Sequence, residues 1–219
     1  MTTMSNIKHH LTDELIMGYS AGKLPEAVDL LIATHISMCD ECRAAVEAYD
    51  ALGGALLEDD SLITEVADMD DASLAATLAL IGELPEAPAQ PVMSDVPAPL
   101  ASYIGGSLKD VRWRPVGMGV RQAILKTEGD AVARLLHIPA GVAIPHHSHG
   151  GLELTLVLKG AFTDEDGHFG PGDVETADES TDHTPIADMA EDCYCLAVTD
   201  ASLKFKSLLP KLIQPFVRI

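Results

Sequence analysis

The chain has 219 residues, 47% of them hydrophobic, and a formal net charge of −20 at pH 7. That apolar content is ample for one large domain or two small ones. The acid excess argues against direct nucleic-acid binding, which depends on Lys and Arg neutralising phosphates. No apolar run approaches the roughly 20 residues that span a bilayer, and the start, Met1 to Lys8, has no apolar stretch of the signal-peptide kind. The four cysteines fall in two close pairs, Cys39/Cys42 and Cys193/Cys195. Such pairs suit a metal or redox role in a reducing compartment, so a cytoplasmic protein is expected.

The charge is unevenly spread. Up to residue 90, three basic residues face 17 acidic ones; from residue 106 onward, 11 face 16. Either the acidity serves solubility alone, or it steers the chain toward a basic protein partner.

A first helix is expected over residues 11–21, N-capped by Thr12, with Asp13 and Glu14 at the positive end of its dipole and Gly22 closing it. A second follows from Pro25, with Leu24, Val28, Leu31, Ile32 and Ile36 as a buried stripe. A third is expected from Asp40 to Leu52, ended by Gly53-Gly54. Between them lies Thr34-His35-Ile36-Ser37-Met38-Cys39-Asp40-Glu41-Cys42, an H-x3-C-x2-C pattern. One imidazole and two thiols at this spacing can reach one tetrahedral ion; the bland alternative is a capping histidine and two small core thiols. A fourth ligand would close the site, and His10 is the candidate, with His9 beside it as the confounder. The motif resembles the signature of zinc-binding anti-sigma factors, in which a more N-terminal histidine completes the set. On that resemblance the zinc ligands are His10, His35, Cys39 and Cys42, and the helical module binds an extracytoplasmic-function (ECF) sigma factor.

Glu58 to Asp71 is strongly acidic with isolated Leu62, Ile63 and Val66, as an exposed loop or a helix completed by a partner. Ser73 to Leu84 is expected to be a fourth helix capped by Ser73. Its face of Leu74, Leu78 and Ile81 reads as core, with partner surface as the alternative. Pro85 to Pro99 holds five prolines and reads as a semi-extended linker, so the expected organisation is a helical domain over 1–85, a linker over 86–105 and a second domain over 106–219.

Beyond the linker the periodicity changes to two. Val120–Lys126, Ala131–Ile138, Leu152–Lys159 and Cys193–Val198 are short apolar runs between turn residues, the pattern of a β-sandwich or barrel against which Trp113 packs. His147 and His149 point to one face of a strand, and Glu153 shares a face with Thr155 and Val157, opposite Leu154, Leu156 and Leu158. Two imidazoles and a carboxylate inside a small barrel call for a divalent ion. Gly141, His147, His149, Glu153 and Gly160 satisfy the first cupin motif, G-x5-H-x-H-x3-E-x6-G. In the second motif Gly172 and His183 keep their register, while Asp178, Ser180 and Ala187 depart from it. The resemblance makes His183 the fourth ligand. His137, His146 and His168 are expected to be structural or surface residues. Cys193 and Cys195 share a strand face, as packed thiols or a redox pair.

In this order the two motifs resemble the ChrR-type zinc-binding anti-sigma factors along essentially the whole chain. The expected fold class is therefore a small all-α zinc-binding bundle followed by an all-β cupin jelly roll. The resemblance implies that residues 1 to about 85 bind and inhibit a group IV (ECF) sigma factor, as a 1:1 heterodimer without nucleic acid or membrane. It also implies that the cupin-like domain releases the sigma factor in response to singlet oxygen or related oxidative stress. The front cofactor would be zinc, and the cupin ion zinc or another divalent transition metal. The rival is a metal-dependent dioxygenase or isomerase with an accessory zinc module, whose substrate would be oriented by Arg121, Arg134 or Thr155. A metal-storage protein would need a higher density of His and Cys.

Overall fold

The computed structural model describes residues 7–58, 71–83, 94–201 and 204–205. Thr12 caps α1 (Asp13–Ser20), its hydroxyl accepting from the Leu15 amide at 3.4 Å, and Gly22 follows at φ +61°. Helix α2 (Glu26–Ile36) begins after Pro25, which fixes an extended entry and lacks the N–H that a first turn leaves unpaired. Helix α3 (Asp40–Leu57) is capped by the Cys39 sulfur, which accepts from the Cys42 amide. The expected stop at Gly53-Gly54 is not taken. Neither glycine has positive φ, and the Glu58 amide still bonds the Gly54 carbonyl at 3.1 Å. Each costs about 1 kcal/mol relative to alanine, but Ala55, Leu56 and Leu57 carry the helix on.

Helix α4 (Asp71–Glu83) starts two residues before the expected cap, and Ser73 lies inside it. Its apolar face is not core: Leu74, Leu78 and Ile81 are 53%, 58% and 58% exposed. A 3.6-residue pattern records only that something apolar covers a face, not that the same chain supplies it. The acidic stretch 59–70, the last residues of the expected helical domain (84–85) and residues 86–93 of the expected linker lie outside the described residues. Further along that linker, Ala98–Ile104 forms a short helix, α5, N-capped by Pro97, with Leu100 fully buried.

The strands are β1 (Arg114–Gly117), β2 (Val120–Ile124), β3 (Val132–Ile138), β4 (His147–Ser148), β5 (Glu153–Lys159), β6 (Phe162–Thr163), β7 (His168–Phe169), β8 (Val174–Ala177), β9 (Asp182–His183), β10 (Ile186–Ala187), β11 (Cys193–Thr199) and β12 (Lys204–Phe205). All paired strands are antiparallel: a six-stranded sheet in the order β1-β2-β3-β11-β5-β8 and two three-stranded sheets, β10-β6-β7 and β12-β4-β9. On β5 the expected alternation holds. Leu154 and Leu156 join a core shared with the helices, while Val157 joins a second core inside the barrel with Phe162, Phe169, Cys193 and Cys195.

Helix α2 lies between the two halves. It packs on α1, α3 and α5 on one side and on β3, β5 and β11 on the other. Its buried set is accordingly wider than the expected stripe: Ala27, Val28, Leu30, Leu31, Ile32, Thr34 and His35 are buried, whereas Leu24 and Ile36 at its ends are only half-buried. A helix that is apolar on nearly every side is stable only when enclosed. Leu31→Ala, at a fully buried position of that shared core, should lower equilibrium unfolding stability in urea by about 2–5 kcal/mol. A cost below about 1 kcal/mol would mean that the helix is not enclosed as described.

Candidate metal centres

The front centre sits where α2 ends and α3 begins. Met38 and Cys39 amides bond back to the His35 carbonyl (2.8 and 2.9 Å), so His35, Cys39 and the first turn of α3 come together through local backbone structure. The amino-terminal segment then brings His10 over them, its Nδ1 3.4 Å from Cys39 Sγ and 3.6 Å from Cys42 Sγ. Ligand atoms of His10, His35, Cys39 and Cys42 all lie within 4.8 Å of one another. A tetrahedral zinc with ordinary Zn–N and Zn–S bonds places nitrogen and sulfur ligands about 3.5 Å apart, which matches both contacts. His35 Nε2 is buried with no hydrogen-bond partner among the described residues, and such an orphan is costly unless an ion meets it. Burial lowers the His35 imidazole to about 4, so it is neutral and able to ligate. Burial pushes the Cys42 thiol up to about 11, so a cation must help to drive its proton off. His9 is not in the set; its ring lies on Phe169, centroids 4.3 Å apart.

The back centre is inside the barrel mouth, where β4 pairs with β9 and sets His147 opposite His183. His183 Nε2 lies 3.2 Å from His147 Nε2 and 3.2 Å from His149 Nε2. Those separations suit nitrogens on one ion, for which tetrahedral and octahedral edges are about 3.3 and 3.0 Å. Each ring is held from behind. His147 Nδ1 donates to the Pro145 carbonyl at 2.9 Å, His149 Nδ1 faces Glu153 Oε2 at 3.3 Å, and His183 Nδ1 donates to Asp164 at 2.8 Å with Glu175 Oε1 equally near. Outer contacts of this kind set the tautomer and aim the free nitrogen at the ion. Glu153 thus lies against the far side of His149, outside the trio of converging nitrogens.

The electrostatics are those of buried charges that share protons. Burial raises Glu175 to about 8, and Asp164 pushes the same way against His183. Burial opposes a charge on His183, but Glu175 and Asp164 outweigh it and lift the imidazole to about 9. An ion at Nε2 requires the neutral ring, so loading this centre releases a proton. Burial alone would raise Glu153, yet His149, His147 and Arg134 hold its carboxyl below the usual range.

His137, His146 and His168 face Asp192, Asp182 and Asp188 instead. Trp113 packs on the sheet near His137 and Tyr194. Cys193 and Cys195 are buried thiols with sulfurs 3.5 Å apart in the barrel core. Arg121 is exposed, Arg134 donates to Thr199 and Thr155 donates to Glu153. Sequence reasoning missed Asp164 and Glu175. The inward alternation Asp173, Glu175, Ala177 along Gly-Asp-Val-Glu-Thr-Ala was the available signal, since a carboxylate on a buried face needs a partner.

Three comparisons bear on these centres. The ChrR cupin-like domain family matches residues 103–202. The anti-sigma-E factor ChrR of Cereibacter sphaeroides is 54% identical over 215 residues, spanning 97% of this chain and 99% of that protein. A crystal structure of Rhodobacter sphaeroides SigE in complex with the anti-sigma ChrR superposes with a TM-score of 0.78 at 52% identity, covering 89% of this chain and 100% of that one. No helix among the described residues is long and apolar enough to cross a membrane.

The neutral state of His35 has a measurable consequence. Its folded pKa is depressed, so its contribution to stability is present above about pH 6.5 and is lost as pH falls toward 4. In metal-free protein, His35→Gln should flatten the pH dependence of stability over that window by up to about 1.4 kcal/mol per pH unit. An unchanged slope would mean that the ring is charged in the folded chain.

Proposed function

Because the chain belongs to the family of ChrR-type anti-sigma factors, we propose that it binds a group IV (ECF) sigma factor one to one and keeps it from RNA polymerase. The near full-length likeness to a protein of that activity carries this reading. The surface supports it independently. Leu74, Leu78 and Ile81 of α4, with Leu52, Leu56 and Leu57 at the end of α3, leave apolar helix faces exposed in the free chain. Patches of that kind mark partner surfaces, and the acidic helical half favours a basic partner over nucleic acid.

His10, His35, Cys39 and Cys42 hold zinc at the front. The ion supplies no reaction there; it cross-links the amino-terminal segment, α2 and α3, and its binding free energy stabilises the surface offered to the sigma factor. His147, His149 and His183, with Glu153 supporting His149 from behind, hold zinc or another divalent transition metal in the barrel. The barrel is the sensing half, and singlet oxygen or a related oxidant is its signal. Release requires that the altered barrel bias the chain toward a state with lower sigma affinity. The role is regulatory rather than enzymatic. This is supported by Arg134 and Thr155, the inward candidates for holding a substrate, being engaged with Thr199 and Glu153. The free cysteines accord with the cytoplasm.

Co-expression with a cognate ECF sigma factor should yield a 1:1 complex on size exclusion; absence of any complex would overturn the reading. Leu78→Glu with Ile81→Glu should weaken the complex by about 30-fold or more while shifting the stability of the free chain by no more than about 0.5 kcal/mol per site. Unchanged affinity would remove α4 from the interface. His147→Ala with Glu153→Ala should leave binding intact and abolish release under singlet oxygen. Normal release in that variant would refute the sensing role of the barrel.

A further inference from the structure

The helical half does not complete the front centre alone. Glu41 of α3 meets the outer nitrogen of the His10 ring, but the groups that hold His35 and the backbone leading to His10 come from the barrel, at the turn between β7 and β8. His35 Nδ1 is paired, deep in the protein, with the Gly172 carbonyl at 2.9 Å. That pairing leaves Nε2 as the nitrogen turned to the thiols. Asp173, 3% exposed, accepts at Oδ1 from the Lys8 and His9 amides (2.6 and 2.9 Å) and at Oδ2 from the Gly170 amide (2.8 Å). The Val174 amide returns a bond to the His9 carbonyl at 3.1 Å. His10 is the next residue, so its backbone position is set by a carboxylate of the barrel. Gly172 lies at φ +93°, and a Cβ there would meet Ile7 at 2.5 Å. Glycine suits both that left-handed backbone and the close approach of Ile7. Three residues after Gly172, Glu175 stands 2.8 Å from His183 of the back centre.

We propose that Gly172 and Asp173 are positioning residues of the front metal centre, so that ion binding at the front and docking of the barrel are thermodynamically linked. The proposal rests on the reading of His10, His35, Cys39 and Cys42 as a metal-ligand set. Linkage is reciprocal: whatever the docked turn adds to ion affinity, the bound ion adds to docking. The turn that carries Asp173 leads directly into Glu175, so a single residue, Val174, separates the carboxylate that holds the front segment from one that holds His183.

The test is a cobalt(II) titration of the metal-free full-length chain, followed by thiolate-to-cobalt charge-transfer absorption. The histidine trio contains no thiolate, and Cys193 and Cys195 join no group of metal-capable side chains among the described residues, so the band reports the front set. Asp173→Ala should weaken front-site affinity by about 10-fold or more. Asp173→Asn, which keeps one acceptor oxygen for the Lys8 and His9 amides, should fall between it and wild type. Wild-type affinity in a folded Asp173→Ala chain would overturn the link while leaving the ligand set standing. Absence of the band in wild type would overturn the ligand set, and the link with it. The reciprocal arm uses wild type alone and so does not depend on the variants folding. Removing the ion should speed hydrogen exchange of the Lys8, His9 and Val174 amides by about 10-fold or more, and equal protection with and without the ion would overturn the proposal.

Discussion

His35 is the constraint from which the rest of the structure follows. It is a fully buried imidazole at the end of a largely enclosed helix, with one nitrogen bonded to a barrel carbonyl and the other turned toward two thiols. To bury it, α2 must be apolar on nearly every side, which Val28, Leu30, Leu31 and Ile32 provide. To bond it, the barrel must bring a carbonyl within hydrogen-bonding distance, which Gly172 does from a backbone at φ +93° that favours glycine. The Cys39 sulfur that starts α3 as its cap is also one of the atoms His35 faces. Helix packing, helix capping and the donor set of the front centre are therefore one arrangement.

The back centre solves a different problem. Three imidazoles share a small volume, and two buried carboxylates crowd one of them. Like charges so close cannot all persist in a poorly solvated site. Protons on His183 and Glu175 relieve the crowding around Asp164, and a divalent ion would relieve it differently, by drawing on the opposite face of the His183 ring. The two charge states place different demands on β8.

Much of this was legible in the sequence because it is local. Thr12 as a cap, Pro25 at a helix start, H-x3-C-x2-C, and the spacing of His147 and His149 are set within a few residues of one another. The structure brings His10, rather than His9, to Cys39 and Cys42. What escaped is set by distant contacts. Asp173 and the Lys8 amide are 165 positions apart, and no motif spacing encodes that pairing. Five prolines between 85 and 99 concealed α5, whose buried Leu100 is stabilised by packing rather than propensity. Gly53 and Gly54 carry the pattern of a helix end but not its conformation. The α4 stripe was read as core because its spacing is the same whether the cover comes from this chain or from another.

If one buried ion holds the inhibitory surface together, as proposed, inhibition should be lost when that ion is lost. The most direct measurement is transcription in vitro from a promoter dependent on the cognate sigma factor, with added wild-type protein or Cys39→Ser. The account predicts that wild type silences the promoter and that Cys39→Ser, at equal concentration, leaves transcription near its uninhibited level. Equal silencing by both would contradict it.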